Sequence, residues 1–328
     1  MIFEFPDSVK LAQLPTPIEK LERLSLLLEG PQIYVKRDDL TGIELSGNKI
    51  RKLEFLLAEA LQQECDILIT CGGYQSNHAR TTAATAAKLG LKCHLVLRNT
   101  MGGALDGNLF LNRLVGAEIK YITPEEYLRV DEIMADIAEE LKSKGHRPYV
   151  IPEGGSNELG ALGYLKAAQE LAEQLRRLKL KIDYIIVAVG SGATYAGLLM
   201  GKFIFDLPAE IHGINVCDNE PYFVNKISAI LKNAQKRFNI EKSPGRKDIT
   251  IIDGYVGKGY GLSSQEEIDM IKRVSQAEGI ILDPVYTGKA MVGVADQIRH
   301  GKFKPGENIL FIHTGGIFGL FPKKALFF

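Results

Sequence analysis

The sequence carries no net charge: 40 basic side chains stand against 40 acidic ones. A chain that grips nucleic acid or an anionic membrane needs an excess of cations on one face, and composition offers none. A local basic cluster (Arg176, Arg177, Lys179, Lys181) alternates with leucines late in an expected helix, where a solvated C-terminus accounts for it. Cysteine is scarce. Cys65, Cys71, Cys93 and Cys217 lack CxxC spacing, which excludes a zinc knuckle and a disulfide framework and fits a reducing cytoplasm. No apolar run approaches the ~18 residues of a membrane span. The opening MIFEFPDSVKLAQLP has acids and prolines where a signal peptide needs a basic start and an apolar core. The six histidines show no HExxH or other metal spacing, and no G-x-S-x-G elbow occurs. Neither a catalytic metal nor a Ser-His-Asp triad is expected. Internal repeats and low-complexity segments are missing too. The expectation is a soluble cytoplasmic protein with no nucleic-acid or membrane partner.

What is present is an alternation. Short β-branched runs at 33–36, 67–71, 94–98, 119–122, 149–152, 184–189, 211–216, 249–252 and 308–314 are separated by amphipathic stretches. Ile50, Leu53, Leu56, Leu57, Ala60 and Leu61 fall on one face of a helix. The strand candidates are apolar on both faces, as in strands buried between helix layers. The pattern predicts an α/β protein with parallel-rich sheets covered by helices. With 328 residues, two domains are expected. The loops near 43–48 and 153–157 are the seams: residues 1–46 with 155–328 form the larger domain, and 47–154 the smaller. The segment KSPGRKD (242–248) reads as an exposed loop.

Several glycine-bounded segments carry chemistry. In SGNKIRKLE (46–54), Gly47 and Asn48 suit a turn, Asn48 is a candidate cap, and Lys49 falls at a helix start. The positive end of the helix disfavours a second cation, so the amine should lose its proton more easily than usual, as a nucleophilic lysine requires. Arg51 and Lys52 make the spot attractive to a phosphate. In CGGYQSNHAR (71–80), a strand runs into Ser76 and Asn77 at a helix start, whose exposed amides suit a carboxylate or phosphate; Ser76 serves equally well as a plain cap. In VAVGSGATYAG (187–197), the amides of Gly190–Thr194 with Ser191 and Thr194 suit a phosphate. A dinucleotide turn would need glycine where Tyr195 stands, and an acid nearer than Asp218. DPVYTGKA (283–290) and HTGG (313–316) complete the set. Residues at the carboxyl ends of parallel strands face a common crevice, so these segments should converge.

Taken in order, KRDDLTG, SGNKIRKLE, GGYQSNHAR, VGSGATYAG, ILDPVYTGKA and HTGG resemble the D-cysteine desulfhydrase and 1-aminocyclopropane-1-carboxylate (ACC) deaminase family. That family belongs to the fold-type-II, tryptophan-synthase-β-like enzymes that use pyridoxal 5′-phosphate, and the likeness spans about Leu14 to Gly319. The resemblance implies that Lys49 carries the cofactor covalently. It implies that Lys52 and Gly190, Ser191, Gly192, Ala193 and Thr194 hold the phosphate, with Asn77 and Thr314 beside the ring. Ser76, with Asn77 and His78, would receive the substrate carboxylate. Tyr260 and Tyr286 match the family's active-site tyrosines, Tyr286 and Thr287 facing the substrate. ACC deaminases typically carry Glu and Leu at the positions of Thr287 and Thr314, so the threonine pair favours α,β-elimination of D-cysteine, with ACC deamination or another β-substituted amino acid as the alternative. A homodimer is expected on the same ground.

Overall fold

The computed structural model describes residues 3–99 and 105–328. The N-terminal stretch forms β1 (Ile18–Lys20), α1 (Glu22–Leu28) and β2 (Gln32–Lys36). Next come α2 (Lys49–Gln62), β3 (Ile67–Gly73), α3 (Asn77–Lys88), β4 (Lys92–Arg98), α4 (Gly107–Leu114), β5 (Glu118–Ile122), α5 (Val130–Ser143) and β6 (Pro148–Val150). The chain then builds α6 (Glu158–Leu178), β7 (Tyr184–Val189), α7 (Ala193–Ile204), β8 (Glu210–Asn215), α8 (Glu220–Phe238), β9 (Thr250–Ile252), α9 (Gln265–Glu278), α10 (Thr287–Arg299) and β10 (Asn308–Ile312).

The strands make two sheets, ordered β1-β2-β10-β7-β8-β9 and β5-β4-β3-β6. Every pairing is parallel except that of β1 with β2. All nine expected strands are present, with ends shifted by a few residues. The strand missed is β1, a three-residue, half-buried edge whose sequence IEK has no apolar run to betray it. On β7 the two faces are both buried: Ile185, Val187 and Val189 join the core with α2, α6, α7 and α8, while Ile186 and Ala188 join the core with α9 and α10. That explains the unbroken apolar run. Among the described residues no helix is long and apolar enough to cross a membrane.

Each sheet reverses its order once. In the larger sheet β8 and β9 run out on one side of β7 while β10 and β2 lie on the other; in the smaller, β4 and β5 leave β3 on one side and β6 flanks the other. Such switch points open a crevice beyond the carboxyl ends of the strands. The loops following β7, β10, β3 and β6 all lie at those ends, and they carry the motifs singled out above.

Helix α6 seats the first turn of α2. A Cβ on Gly163 would lie 2.7 Å from the backbone nitrogen of Lys52, and one on Gly197 would lie 2.8 Å from that of Leu165. Glycine is required where α6 meets α2 and α7, because no side chain fits between those backbones. Gly163→Ala should therefore lower stability by about 1–3 kcal/mol through overpacking. Urea denaturation checks this; a variant as stable as the parent would show that α2 has room to move away.

Candidate active site

The turn before α2 is folded by its neighbours. Gly47, at φ +107, has no space for a Cβ beside the Thr314 carbonyl, 2.7 Å away. The Asn48 amide donates to that same carbonyl at 3.1 Å. Asn48 is not the cap expected from sequence: its backbone is already helical, and its side-chain amide donates instead to Thr194 Oγ1 at 2.9 Å, binding α2 to the start of α7. Lys49 thus enters a cavity lined by Asn48, Asn77, the 188–192 loop, Thr194, Tyr195, Tyr286 and Thr314. Its amine has its pKa lowered to about 8. Burial is the leading cause, partly offset by the carboxylates of Glu153 and Asp283. Desolvation is a cause that the helix-end argument from sequence did not include.

The glycine loop after β7 forms a cradle beside that amine. Gly192 has φ +98, and a Cβ on Gly190 would lie 2.8 Å from the Tyr286 ring. Ser156 Oγ donates to Ser191 Oγ at 2.8 Å. Lys52, 1% exposed, reaches only neutral oxygens: the Gly154 carbonyl at 3.2 Å and Ser156 Oγ at 3.3 Å. Burial first, then the nearby Lys49 and Lys226 charges, hold its pKa well below the usual lysine value. Among the described residues it has no carboxylate in salt-bridge range. A buried lysine amine beside glycine-bounded backbone amides and the N-terminus of α7 fits a phosphate dianion, whose charge would favour the ammonium form.

The β3–α3 turn supplies the facing wall. Ser76 is buried, and its hydroxyl caps α3 by accepting from the Ala79 amide at 3.2 Å. Asn77 lines the cavity, its Oδ1 accepting from Asn108 Nδ2 at 2.9 Å. His78 does not reach the cavity. One residue further round the helix its ring turns back to Thr70 Oγ1, at 2.9 Å, and burial beside Lys49 and Lys52 keeps it neutral.

The two tyrosines meet: their hydroxyls are 2.8 Å apart and their rings are edge-on. The Lys49 amine lies 5.8 Å from the centre of the Tyr286 ring. Burial pushes the Tyr260 phenol up to about 12 and Tyr286 higher still. Thr287, expected to face substrate, is fully buried and faces Asp283, its hydroxyl and its amide each donating to Oδ1 at 2.7 Å. Asp283 also accepts from the amides of Val285 and Tyr286, so one carboxylate folds the turn that presents Tyr286. Sequence reasoning passed over Asp283, although an Asp three residues before a helix-starting tyrosine is a turn signal. It also passed over Asn108, which orients Asn77, and Arg98, Tyr127 and Glu153, which line an outer cleft of ≈ 630 Å³ reaching Tyr260 and Gly190. No local pattern marks those residues.

Two parallel-rich sheets meeting at their switch points, an easily deprotonated lysine and an anion cradle define a class of protein: an enzyme that binds a phosphorylated cofactor next to a reactive amine. The chain belongs to the pyridoxal-phosphate dependent enzyme family, whose pattern matches residues 9–315. It is 45% identical over 323 residues to the mitochondrial bifunctional D-cysteine desulfhydrase/1-aminocyclopropane-1-carboxylate deaminase of Arabidopsis thaliana, covering 95% of this chain and 79% of that protein. It is 42% identical over 318 residues to the D-cysteine desulfhydrase of Klebsiella pneumoniae, covering 95% of each. A solved structure described as an ACC deaminase homologue superposes with a TM-score of 0.90 at 41% identity, covering 98% of this chain and 96% of that one.

The lowered Lys49 pKa has a directly measurable consequence. In the cofactor-free protein, acetylation of Lys49 should be half-maximal near pH 8, because below that pH the amine is protonated and unreactive. Surface lysines should need about pH 10. Peptide mapping by mass spectrometry reads both; a Lys49 that labels in step with surface lysines would contradict the geometry.

Proposed function

We propose that this protein is a lyase that converts D-cysteine to pyruvate, sulfide and ammonia, consuming one water. The observation that carries the reading is the cavity where the Lys49 amine meets Asn77, the 190–192 loop, Thr194 and Tyr286, with Tyr260 hydrogen-bonded to Tyr286 and Lys52 linked to the loop through Ser156. When bound, pyridoxal phosphate supplies an aldehyde for amines and a conjugated ring that accepts the electron pair left by a departing proton.

The residues then divide the work. Lys49 Nζ would hold the aldehyde, Lys52 with Gly190, Ser191, Gly192, Ala193 and Thr194 would hold the phosphate, and Asn77 and Thr314 would contact the rest of the cofactor. Ser76, with the amides at the start of α3, receives the substrate carboxylate. Lys49 Nζ takes the α-proton of the substrate, a role suited to an amine that is half neutral near pH 8. Both tyrosines are held protonated by burial, so the pair serves as acid rather than base, handing a proton to the departing sulfur. Thr314, on the cavity wall, would offer the cofactor a neutral hydroxyl and no carboxylate. That favours loss of a good leaving group over opening of a cyclopropane. The second reading is deamination of ACC to 2-oxobutyrate and ammonia, favoured by the pair of activities in the name of the Arabidopsis relative. Thr287 enters neither scheme as a contact; it shapes the turn under Tyr286.

The same proposal includes a homodimer, a cytoplasmic location and two domains divided at the loops around 47 and 154; light scattering on the purified protein tests the first of these. For the activity, the holoenzyme is incubated with D-cysteine, L-cysteine and ACC while pyruvate, sulfide and 2-oxobutyrate are measured. Sulfide and pyruvate from D-cysteine are expected, with Lys49→Ala slower by about a thousandfold. A cofactor-loaded enzyme inert toward D-cysteine would sink the substrate assignment, and 2-oxobutyrate from ACC alone would install the second reading.

A further inference from the structure

Tyr260 sits in the least regular part of the site. Residues 253–264, between β9 and α9, form turns and bends without helix or strand. Glycines flank the tyrosine on both sides, Gly259 at φ +113 and Gly261 at φ +72. Such a segment samples many conformations when nothing holds it, and ordering it costs backbone entropy. Yet its phenol stands 2.8 Å from that of Tyr286.

Two ammonium groups account for the order. Lys289, fully buried on α10, donates to the Val256 carbonyl at 2.5 Å and the Gly259 carbonyl at 2.8 Å, with Glu267 Oε1 at 3.8 Å. Lys323, half-buried near the C-terminus, donates to the Gly261 carbonyl and to Ser263 Oγ. The carbonyls immediately before and after Tyr260 are thus each held by a lysine. Lys289 stands three residues after Tyr286 on the helix that Tyr286 begins, so the loop bearing one phenol is tied to the element bearing the other. Ser263 adds a direct link, its hydroxyl donating to the Pro284 carbonyl at 3.2 Å. An ammonium has three donors in a compact head and makes charge-assisted bonds that a neutral side chain cannot match.

We propose that Lys289 and Lys323 are positioning residues that clamp the carbonyls on either side of Tyr260 and thereby set its hydroxyl against that of Tyr286. Neither touches the cavity; both act through Tyr260. The inference rests on the reading of Tyr260 as a working acid.

A double-mutant cycle separates this role from general stability. In the parent enzyme Lys323→Met should lower kcat by about tenfold to a hundredfold with KM within about twofold, the penalty of a misplaced reacting group. Lys323→Arg should recover most of the loss. In a Tyr260→Phe background Lys323→Met should change kcat by less than about twofold, since the hydroxyl it positions is gone. Lys289→Gln is the second arm, with the same expected pattern; if it does not fold, Lys323 carries the test. Independently of turnover, hydrogen exchange in the peptide 254–264 should rise in Lys323→Met while that of β7 and α3 stays unchanged. Equal kcat losses in the parent and Tyr260→Phe backgrounds, or unaltered exchange in the loop, would overturn the proposal. A parent enzyme that turns over neither D-cysteine nor ACC would instead defeat the functional reading and leave the exchange result to decide the clamp.

Discussion

Two lysines within one turn of α2, Lys52 fully buried and Lys49 half-buried at the cavity, have no carboxylate of the described residues in salt-bridge range, and the rest of the site is arranged around that condition. Desolvating an ammonium is unfavourable unless an opposite charge meets it or it gives up its proton. Lys49 takes the second course, becoming a nucleophile near neutral pH. Burial and the charges of Lys49 and Lys226 depress the pKa of Lys52 as well, and an anion seated against the 190–194 loop would favour its charged form. One physical circumstance thus supplies both a reactive amine and a place for a phosphate beside it.

Holding α2 in that position falls to the opposite side of the same helix. Lys49 and Lys52 project together, while Arg51, rotated by about 200° from Lys49, points away. Arg51 meets Asp38 at 2.9 Å and Glu170 at 2.9 Å; Tyr164 donates to Asp38 at 2.5 Å, and Lys36 pairs with Glu170. This buried ionic lattice joins β2, α2 and α6. Removing one partner from such a set costs about 3–5 kcal/mol, because it strands the other charge. Helix α6 closes the arrangement through the glycine contact at Gly163. Three successive polar residues of one motif therefore divide between chemistry and scaffold according to helical angle alone.

The facing tyrosines follow a different logic. Tyr286 is delivered by a turn that folds around Asp283, a local device of four bonds to one carboxylate. Tyr260 comes from a glycine-bounded loop whose geometry depends on lysines 29 and 63 residues away in sequence. The first is the kind of feature a sequence can announce; the second is not. That contrast explains why Tyr286 needed little beyond its motif, whereas the surroundings of Tyr260 surfaced only in three dimensions.

By itself the sequence determined the alternation of strands and helices, the glycine turns that end β3, β7 and β10, and the family to which those motifs belong. Each of these is local: an apolar run, a backbone angle only glycine adopts, or an ordered set of short words. The tertiary structure alone decided which side chains of those words face the cavity. It turned His78 and Thr287 into the wall, gave Asn48 to Thr194 instead of to a helix end, and brought in Asn108 and Arg98 from segments no motif covered. The reason is that burial and charge balance are sums over neighbours from distant parts of the chain. No window of sequence contains them.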